Sequence, residues 1–321
     1  MKLSGKSILV TGGAGFIGSH LVDRIIQESP ANLVVVDNLF LGKEINLEVA
    51  RRDYSSLKFY QQDAADYEAM KKIISQERID IVFNMAVIPL PTSLVRPRWT
   101  VEINIAMTTV LCDLLKDEKF KTLIHFSSSE VYGSALRVPI DEDHPLIPCT
   151  PYAASKLAAD HIVSTYDKTF GLDTVTVRPF NNFGPRQNDG QFAGIIPIVI
   201  NKALKGEPIT IYGDGKQTRD FVFVEDVVDA TVEISKNDST RGQTINLASG
   251  IEVAINDLAK EILDILQANV PITHVEARPG DVRRHCGGVL LAKKYINFQP
   301  KTKLREGLRK TIEWYKKKQS V

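Results

Sequence analysis

Several features that would restrict the function are scarce or missing in this chain of 321 residues. Lys and Arg number 40 and Asp and Glu number 39, so no basic excess points to nucleic acid or an anionic membrane as a partner. No run approaches the roughly 18 consecutive apolar residues of a membrane span. The cysteines Cys112, Cys149 and Cys286 are too few and too widely spaced for a disulfide framework or a metal site. These absences predict a cytoplasmic protein without a metal centre.

The apolar content of 43% is enough for a sizeable core. Short apolar segments alternate with helical patterns over the first 180 or so residues, which is typical of a parallel sheet covered on both faces. The predicted helices include Tyr67–Gln76, Thr100–Lys116 and Pro151–Phe170. Asp66 and Thr150 precede two of these helices and are predicted to cap them.

A glycine-rich segment follows the first apolar run. Gly12, Gly15 and Gly18 come directly after Ile8–Val10 and open a helical pattern. Such glycines allow a tight turn and close approach of the backbone to a diphosphate, which the helix N-terminus attracts. Asp37 ends the next apolar run, where a carboxylate can accept hydrogen bonds from a ribose 2′-hydroxyl and repel a 2′-phosphate. This arrangement predicts a Rossmann-type, doubly wound α/β fold that binds NAD rather than NADP.

A tyrosine and a lysine are predicted to lie on one helix face. Tyr152 and Lys156 are four residues apart, which places their side chains close together. A free phenol has a pKa of about 10 and is a poor base, but a neighbouring ammonium favours the phenolate. The pair can then remove a hydroxyl proton while hydride leaves the same carbon. Ser128 supplies a hydroxyl that can hold the reacting sugar oxygen.

Together these segments resemble the extended short-chain dehydrogenase/reductase family, and within it the nucleotide-sugar epimerases and dehydratases. The matching motifs are Thr11–Gly18, Asp37 with Asn38, Ser128–Gly133 and Tyr152 with Lys156. The resemblance covers essentially the whole chain. It implies cofactor contacts at Gly12, Gly15, Phe16, Ile17, Gly18, Asp37, Asn38, Asp63, Ala64, Ala86, Tyr152 and Lys156.

The resemblance also implies a second lobe that binds a nucleotide sugar. We predict an NAD-binding domain over residues 1–180, revisited by about 221–249, and a substrate lobe over 181–220 and 250–321. The implied substrate contacts are Ser93, Asn104, Asn181, Arg186, Arg219, Arg278 and Asp281.

Each of these assignments has a simpler alternative. An arginine is more often part of a surface ion pair, and an asparagine often serves turn or helix geometry. Asp63 would look the same if it only capped the following turn. For Arg186, a diphosphate, a sugar carboxylate and solvent all remain open as partners. The bound base, uracil or thymine, is also open, and we favour a UDP-sugar because Arg278 and Asp281 resemble the UDP-sugar members.

The pair Ser129 and Glu130 separates the possible reactions. Simple 4-epimerases resemble this chain at Ser128 but usually lack an acid two residues on, whereas dehydratases carry Asp-Glu where Ser129 and Glu130 stand. Glu130 is therefore predicted to act as a base at C5 once C4 is a ketone, giving dehydration or C5 epimerisation of a UDP-GlcNAc-type sugar. The alternatives are a UDP-glucose or UDP-GlcNAc 4-epimerase, a UDP-glucuronate decarboxylase, and a non-catalytic NAD-sensing protein. In the structural alternative, Glu130 only caps a loop.

The resemblance implies a homodimer. Thr100–Lys116 and Pro151–Phe170 carry apolar residues over wide arcs, of which the sheet would cover only part. The remainder is expected to pair with the same helices of a second subunit in a four-helix contact. Purely intramolecular packing is the alternative.

Overall fold

The computed structural model describes residues 1–278 and 280–319, so Pro279 and the last two residues, all within the predicted substrate lobe, lie outside the described residues. The strands are β1 Ser7–Thr11, β2 Asn32–Asp37, β3 Lys58–Gln61, β4 Ile81–Asn84, β5 Thr122–Phe126, β6 Asp173–Pro179, β7 Asn181–Phe183, β8 Ile209–Tyr212, β9 Thr218–Phe223, β10 Thr244–Leu247, β11 Glu252–Ala254 and β12 Ile272–Val275. The helices are α1 Phe16–Ile26, α2 Glu48–Asp53, α3 Tyr67–Gln76, α4 Leu90–Ser93, α5 Pro97–Lys116, α6 Pro151–Phe170, α7 Ile195–Leu204, α8 Val224–Lys236, α9 Ile255–Leu266, α10 Leu290–Ile296 and α11 Leu304–Gln319.

Seven parallel strands form the central sheet, in the order β10-β6-β5-β4-β1-β2-β3. Successive side chains of a strand point to opposite faces, and in β1 both faces are buried. Ile8 and Val10 pack in one apolar cluster with Leu21 of α1, while Leu9 packs in another with Leu111 of α5. The near-continuous apolar strands are therefore those of a sheet covered by helices on both sides, as predicted.

The later part of the chain adds smaller sheets and then returns to the large one. β7, β9 and β11 form a three-stranded sheet, and β8 pairs with β12. A separate apolar cluster around Phe183, Ile200, Phe223 and Leu258 supports these strands. Strand β10 nevertheless pairs with β6 at the edge of the central sheet, and Val227 of α8 packs in the same cluster as α1. The exact division into two domains stays a prediction.

The predicted helix bounds agree with the structure for the two helices whose sequence showed a capping residue. Helices α3 and α6 begin and end at the predicted residues. The Asp66 carboxylate accepts a hydrogen bond from Ala69 N at 3.0 Å, and the Thr150 hydroxyl accepts one from Ala153 N at 3.1 Å. Helix α5 begins three residues before the prediction, because Pro97 occupies its first turn, where the missing N–H is of no consequence.

The cap of α3 gives a stability prediction. Asp66→Ala removes the acceptor for Ala69 N and should lower the free energy of unfolding by about 1 kcal/mol. Asp66→Asn keeps an acceptor oxygen and should recover most of the loss. Urea unfolding followed by circular dichroism measures both variants, and equal stability of the alanine variant and the native protein would contradict the assigned cap.

Candidate functional site

The glycine turn between β1 and α1 has the shape of a phosphate cradle. Gly12 has a φ of +65°, and a Cβ there would lie 2.8 Å from the Ala86 backbone. A Cβ at Gly18 would lie 2.2 Å from the Gly12 carbonyl oxygen, so helix and turn pack too closely for any side chain. Gly15 is the N-cap of α1 and leaves the first N–H groups of the helix facing the cavity. These residues therefore fit a dinucleotide diphosphate.

Asp37 lies at the carboxyl end of β2, at the rim of the same cavity. Its oxygens accept hydrogen bonds from Ala14 N at 3.0 Å and Leu39 N at 2.8 Å. Burial nevertheless raises the pKa of this carboxyl. Each carboxylate oxygen has a second lone pair, so a ribose hydroxyl can still donate to Asp37. The nearby Lys43 is 3.4 Å from Asp189, so its ammonium is already paired.

The remaining predicted cofactor residues meet around one cavity of about 1430 Å³. Asp63 lines it but also accepts a hydrogen bond from Ala65 N at 2.9 Å, which is the turn-capping role that was left open. The cavity continues from the glycine turn past Ser128 to Asn181 and Arg186, which are the two predicted substrate residues that line it. The other predicted cofactor residues on its wall are Phe16, Ile17, Asn38, Ala64, Ala86, Tyr152 and Lys156.

Tyr152 and Lys156 lie on the first turns of α6. The Lys156 ammonium is buried and donates a hydrogen bond to the Phe126 carbonyl oxygen at 2.5 Å. Burial lowers the pKa of Lys156 to about 8. Burial also raises the pKa of Tyr152 to about 12, although a hydrogen bond with Ser128 acts in the opposite direction. Burial thus outweighs the expected activation, and the lowering of the Tyr152 pKa by Lys156 stays a prediction.

A buried carboxylate holds α6 against the ends of β5 and β6. Asp160 Oδ2 accepts hydrogen bonds from the Ser127 hydroxyl at 2.7 Å and from Arg178 Nε at 2.9 Å. Nε2 of His125 lies 3.4 Å from Asp160 Oδ1. Burial raises the pKa of Asp160, but these donors hold it below its ordinary value. Because Asp160 is one turn after Lys156, the same bonds fix the position of the lysine.

The sequence carried a partial signal for this arrangement. Asp160 is four residues after Lys156, the spacing of one helix face, but nothing in the sequence identified its partners. Arg178 also donates to the Tyr132 hydroxyl at 3.0 Å, and that hydroxyl donates to Asn246 at 2.8 Å. The network thereby also anchors the short 3₁₀ helix Ser129–Tyr132.

Glu130 enters the cavity from that 3₁₀ helix. Its backbone N–H donates to the Ser128 hydroxyl at 3.2 Å, so the capping at this turn involves the main chain and not the carboxylate. Among the described residues, none donates a hydrogen bond to the Glu130 carboxylate. Burial raises its pKa, while the positive charge of Arg219 opposes the shift. Ser129 is buried, and its carbonyl accepts from Nε2 of His285 at 3.2 Å.

Two predicted substrate residues form an ion pair close to Glu130. Arg219 Nη2 is 2.5 Å from Asp281 Oδ1, and Arg219 also donates to the Val282 carbonyl at 2.6 Å. The Arg278 guanidinium lies 3.9 Å from the centre of the Tyr212 ring, a cation–π contact on an exposed loop. Neither arginine lines the cavity of Ser128 and Glu130, so the contact of Arg219 and Arg278 with a diphosphate stays a prediction.

Other predicted substrate residues have protein partners. Asn104 bonds to both backbone groups of Ile88 and to Ser155, and it is buried. The Ser93 hydroxyl donates to a carbonyl of its own helix. These two side chains support the walls of the cavity, and their contact with substrate stays a prediction.

Arg186 and Asn181 lie on the cavity wall at the start of the substrate lobe. The guanidinium of Arg186 forms a 2.7 Å ion pair with Asp23 of α1, which is a partner that the sequence left open. Asn181 donates only a long hydrogen bond of 3.4 Å to the Asp220 carbonyl, so its amide remains available to a ligand.

No helix in the described part of the chain is long and apolar enough to cross a membrane.

The sequence also matches a known protein family. The family model of the NAD dependent epimerase/dehydratase family matches residues 8–248. A UDP-glucose 4-epimerase of Mycolicibacterium smegmatis is 33% identical over 312 residues, which cover 97% of this chain and 98% of that protein.

Two solved structures extend the comparison. A UDP-N-acetylglucosamine 4-epimerase from Methanobrevibacter ruminantium, in complex with UDP-N-acetylmuramic acid, is 34% identical, has a TM-score of 0.90 and aligns over 98% of this chain and 99% of its own. DesIV, a dTDP-glucose 4,6-dehydratase from Streptomyces venezuelae with NAD bound, is 28% identical, has a TM-score of 0.92 and aligns over 98% of both chains. Epimerases and dehydratases therefore share this architecture.

The position of Asp37 gives a test of cofactor choice. Asp37→Ala removes a hydrogen-bond acceptor and a negative charge, and should narrow the preference for NAD over NADP by about tenfold. Titration calorimetry of cofactor-free protein with each dinucleotide measures the ratio. Asp37→Asn, which removes the charge but keeps an acceptor, should give an intermediate ratio. Recovery of NADP from the native protein would contradict the assignment.

Proposed function

Because the chain belongs to the NAD-dependent epimerase/dehydratase family, which acts on nucleotide sugars, we propose a specific reaction within that family. The substrate is a UDP-linked hexose, in our proposal of the UDP-GlcNAc type. The enzyme oxidises the sugar at C4 and then moves the C5 proton through Glu130, giving dehydration or C5 epimerisation. NAD is regenerated in each cycle.

The first step rests on Ser128 and Tyr152, which both line the cavity and lie close enough for Ser128 to oppose the rise in the Tyr152 pKa. Ser128 orients the C4 hydroxyl, and Tyr152 removes its proton. Lys156 keeps positive charge next to the developing phenolate. Bound NAD supplies the hydride acceptor and later the hydride donor.

The second step rests on the Glu130 carboxylate, and this is the observation that carries the proposal. It lines the same cavity as Tyr152, close enough for its charge to raise the Tyr152 pKa. Its own pKa is raised by burial, which moves a carboxylate towards the range where it can both accept and return a proton near neutral pH. A C4 ketone acidifies the C5 proton, so a base placed here has a chemical purpose.

A simple 4-epimerase is the second candidate. The similarity to a UDP-glucose 4-epimerase over nearly the whole chain favours it. Ser129 also stands where dehydratases have aspartic acid, which removes one acid for the elimination of a C6 hydroxyl. In this alternative the Glu130 carboxylate takes no part in proton transfer.

Uronate decarboxylation receives less support. Such enzymes usually place an arginine at the position of His285. Burial lowers the pKa of His285 to about 4, so the imidazole is neutral near pH 7 and does not compensate a sugar carboxylate.

We also propose that two copies associate through α5 and α6. These helices pack against one another, and Ile103 and Ile162 remain only partly buried on them. A second copy would cover this surface in a four-helix contact.

Two variants can separate the proposed catalytic role of Tyr152 from cofactor binding. Tyr152→Phe removes the base and should lower turnover at least about 100-fold with little change in bound NAD. Gly15→Val places a side chain where the diphosphate approaches and should instead deplete NAD. UDP-glucose and UDP-GlcNAc serve as substrates, with bound NAD measured after denaturation. Near-normal activity of Tyr152→Phe would exclude the proposed mechanism.

Solvent exchange tests the role of Glu130. In deuterated water the native enzyme, supplied with UDP-GlcNAc or UDP-glucose, should place deuterium at C5, or at C6 after elimination. Glu130→Gln should stop incorporation because the amide cannot remove the proton. Glu261→Gln, which alters a surface ion pair with Arg305, is the matched control. NMR of the product measures the incorporation. A product that differs from the substrate only at C4 and carries no deuterium would show that the enzyme is a simple 4-epimerase.

A further inference from the structure

One loop of the substrate lobe crosses the mouth of the cofactor cavity. We call residues 185–192, which follow β7, the strap. At its start, Nε2 of His20 on α1 lies 3.0 Å from the Pro185 carbonyl. Arg186 has a φ of +65°, a strained conformation for a side chain of this size, and pairs with Asp23 of α1 at 2.7 Å. The strap is therefore fastened to the helix that carries the phosphate cradle.

The far end of the strap meets the loop that follows β2. The rings of Phe192 and Phe40 stack with centroids 6.2 Å apart, and Phe40 also contacts Trp99 edge-on at 5.3 Å. Asp189 pairs with Lys43 at 3.4 Å. That loop begins directly after Asp37, so the contact closes over the side of the cavity where the adenosine ribose is expected.

The last helix, α11, also contacts the strap. The Tyr315 hydroxyl donates to the Gln187 carbonyl at 2.5 Å, and Lys318 forms an ion pair with Asp189. Asp189 thus lies between two ammonium groups. Burial raises its pKa, but Lys318 and Lys43 hold it below the ordinary value of a carboxyl, so Asp189 is charged near neutral pH.

All of these contacts border the cavity that holds the cofactor residues, whose wall includes Phe40, Lys43, Asp189, Phe192 and Lys318. We infer that the strap is a third wall of the NAD site, in addition to the glycine turn and the strand ends, and that it retains NAD between turnovers. Dissociation of the dinucleotide requires the Phe40–Phe192 and Lys43–Asp189 contacts to open. A retained cofactor must return its hydride to the same sugar, which distinguishes this enzyme from a dehydrogenase that releases its cofactor.

The inference rests on NAD binding and not on the identity of the sugar, so it is tested without substrate. Holoenzyme carrying radiolabelled NAD is diluted into excess unlabelled NAD, and the label that stays bound is followed with time. The variants are Asp189→Asn, Phe192→Ala and their combination. Asp264→Asn removes the same charge from a surface ion pair with Arg305 and is the matched control.

Loss of an ion pair and an aromatic contact should make exchange in the double variant about tenfold faster or more, with the control unchanged. Raising the ionic strength from about 0.05 M to about 0.5 M should accelerate exchange more in the native protein than in Asp189→Asn, because the variant keeps the Arg186–Asp23 pair but has lost both charge pairs of Asp189. A general loss of stability would not produce that difference in salt response.

Folded variants that exchange NAD at the native rate would overturn the inference. Should Asp189→Asn not fold, Lys43→Ala and Phe192→Ala test the two contacts separately. NAD exchange at the native rate in both Lys43→Ala and Phe192→Ala would also overturn the inference.

Discussion

The buried carboxylate of Asp160 is the contact on which the position of the catalytic groups depends. A buried charge is tolerated only when it is paired and hydrogen-bonded, and Asp160 meets this condition through Ser127 and Arg178. Removing one partner of such a pair costs about 3–5 kcal/mol. Ser127 precedes Ser128, whose hydroxyl orients the substrate in our proposal, and Asp160 shares a helix face with Lys156, so one carboxylate sets the position of both.

The topology of the sheet explains why these groups meet where they do. In an open parallel sheet, ligands bind outside the carboxyl ends of the strands, at the point where the strand order reverses. Here β1 lies between β2 and β4, so the chain departs in opposite directions on either side of it. The glycine turn follows β1, Asp37 ends β2, and Ser128 follows β5 by two residues. A single edge therefore gathers residues that lie more than a hundred positions apart.

Local chemistry was predictable from the sequence and long-range pairing was not. Thr150, Pro151 and the apolar period fixed the bounds of α6, because capping and periodicity act over a few residues. The partner of Arg186 depended on how the strap crosses α1, which no local pattern encodes. The pKa of Tyr152 was also beyond sequence reasoning, since the depth of burial decides its direction. His125 could be predicted as a buried imidazole, but its proximity to Asp160 could not.

Two carboxylates lie in opposite electrostatic conditions: Glu130 lines the cavity, and Asp160 is one helical turn after Lys156, which also lines it. Asp160 is surrounded by donors, which lower its pKa and keep it permanently charged near neutral pH. Glu130 has no such donors among the described residues, and burial raises its pKa. Environments that push the pKa values of neighbouring acids apart assign them different roles. Asp160 Oδ2 already accepts two hydrogen bonds, so this carboxylate holds structure in place. Glu130 can exchange a proton, and this difference is why our proposal assigns the C5 proton to Glu130 rather than to Asp160.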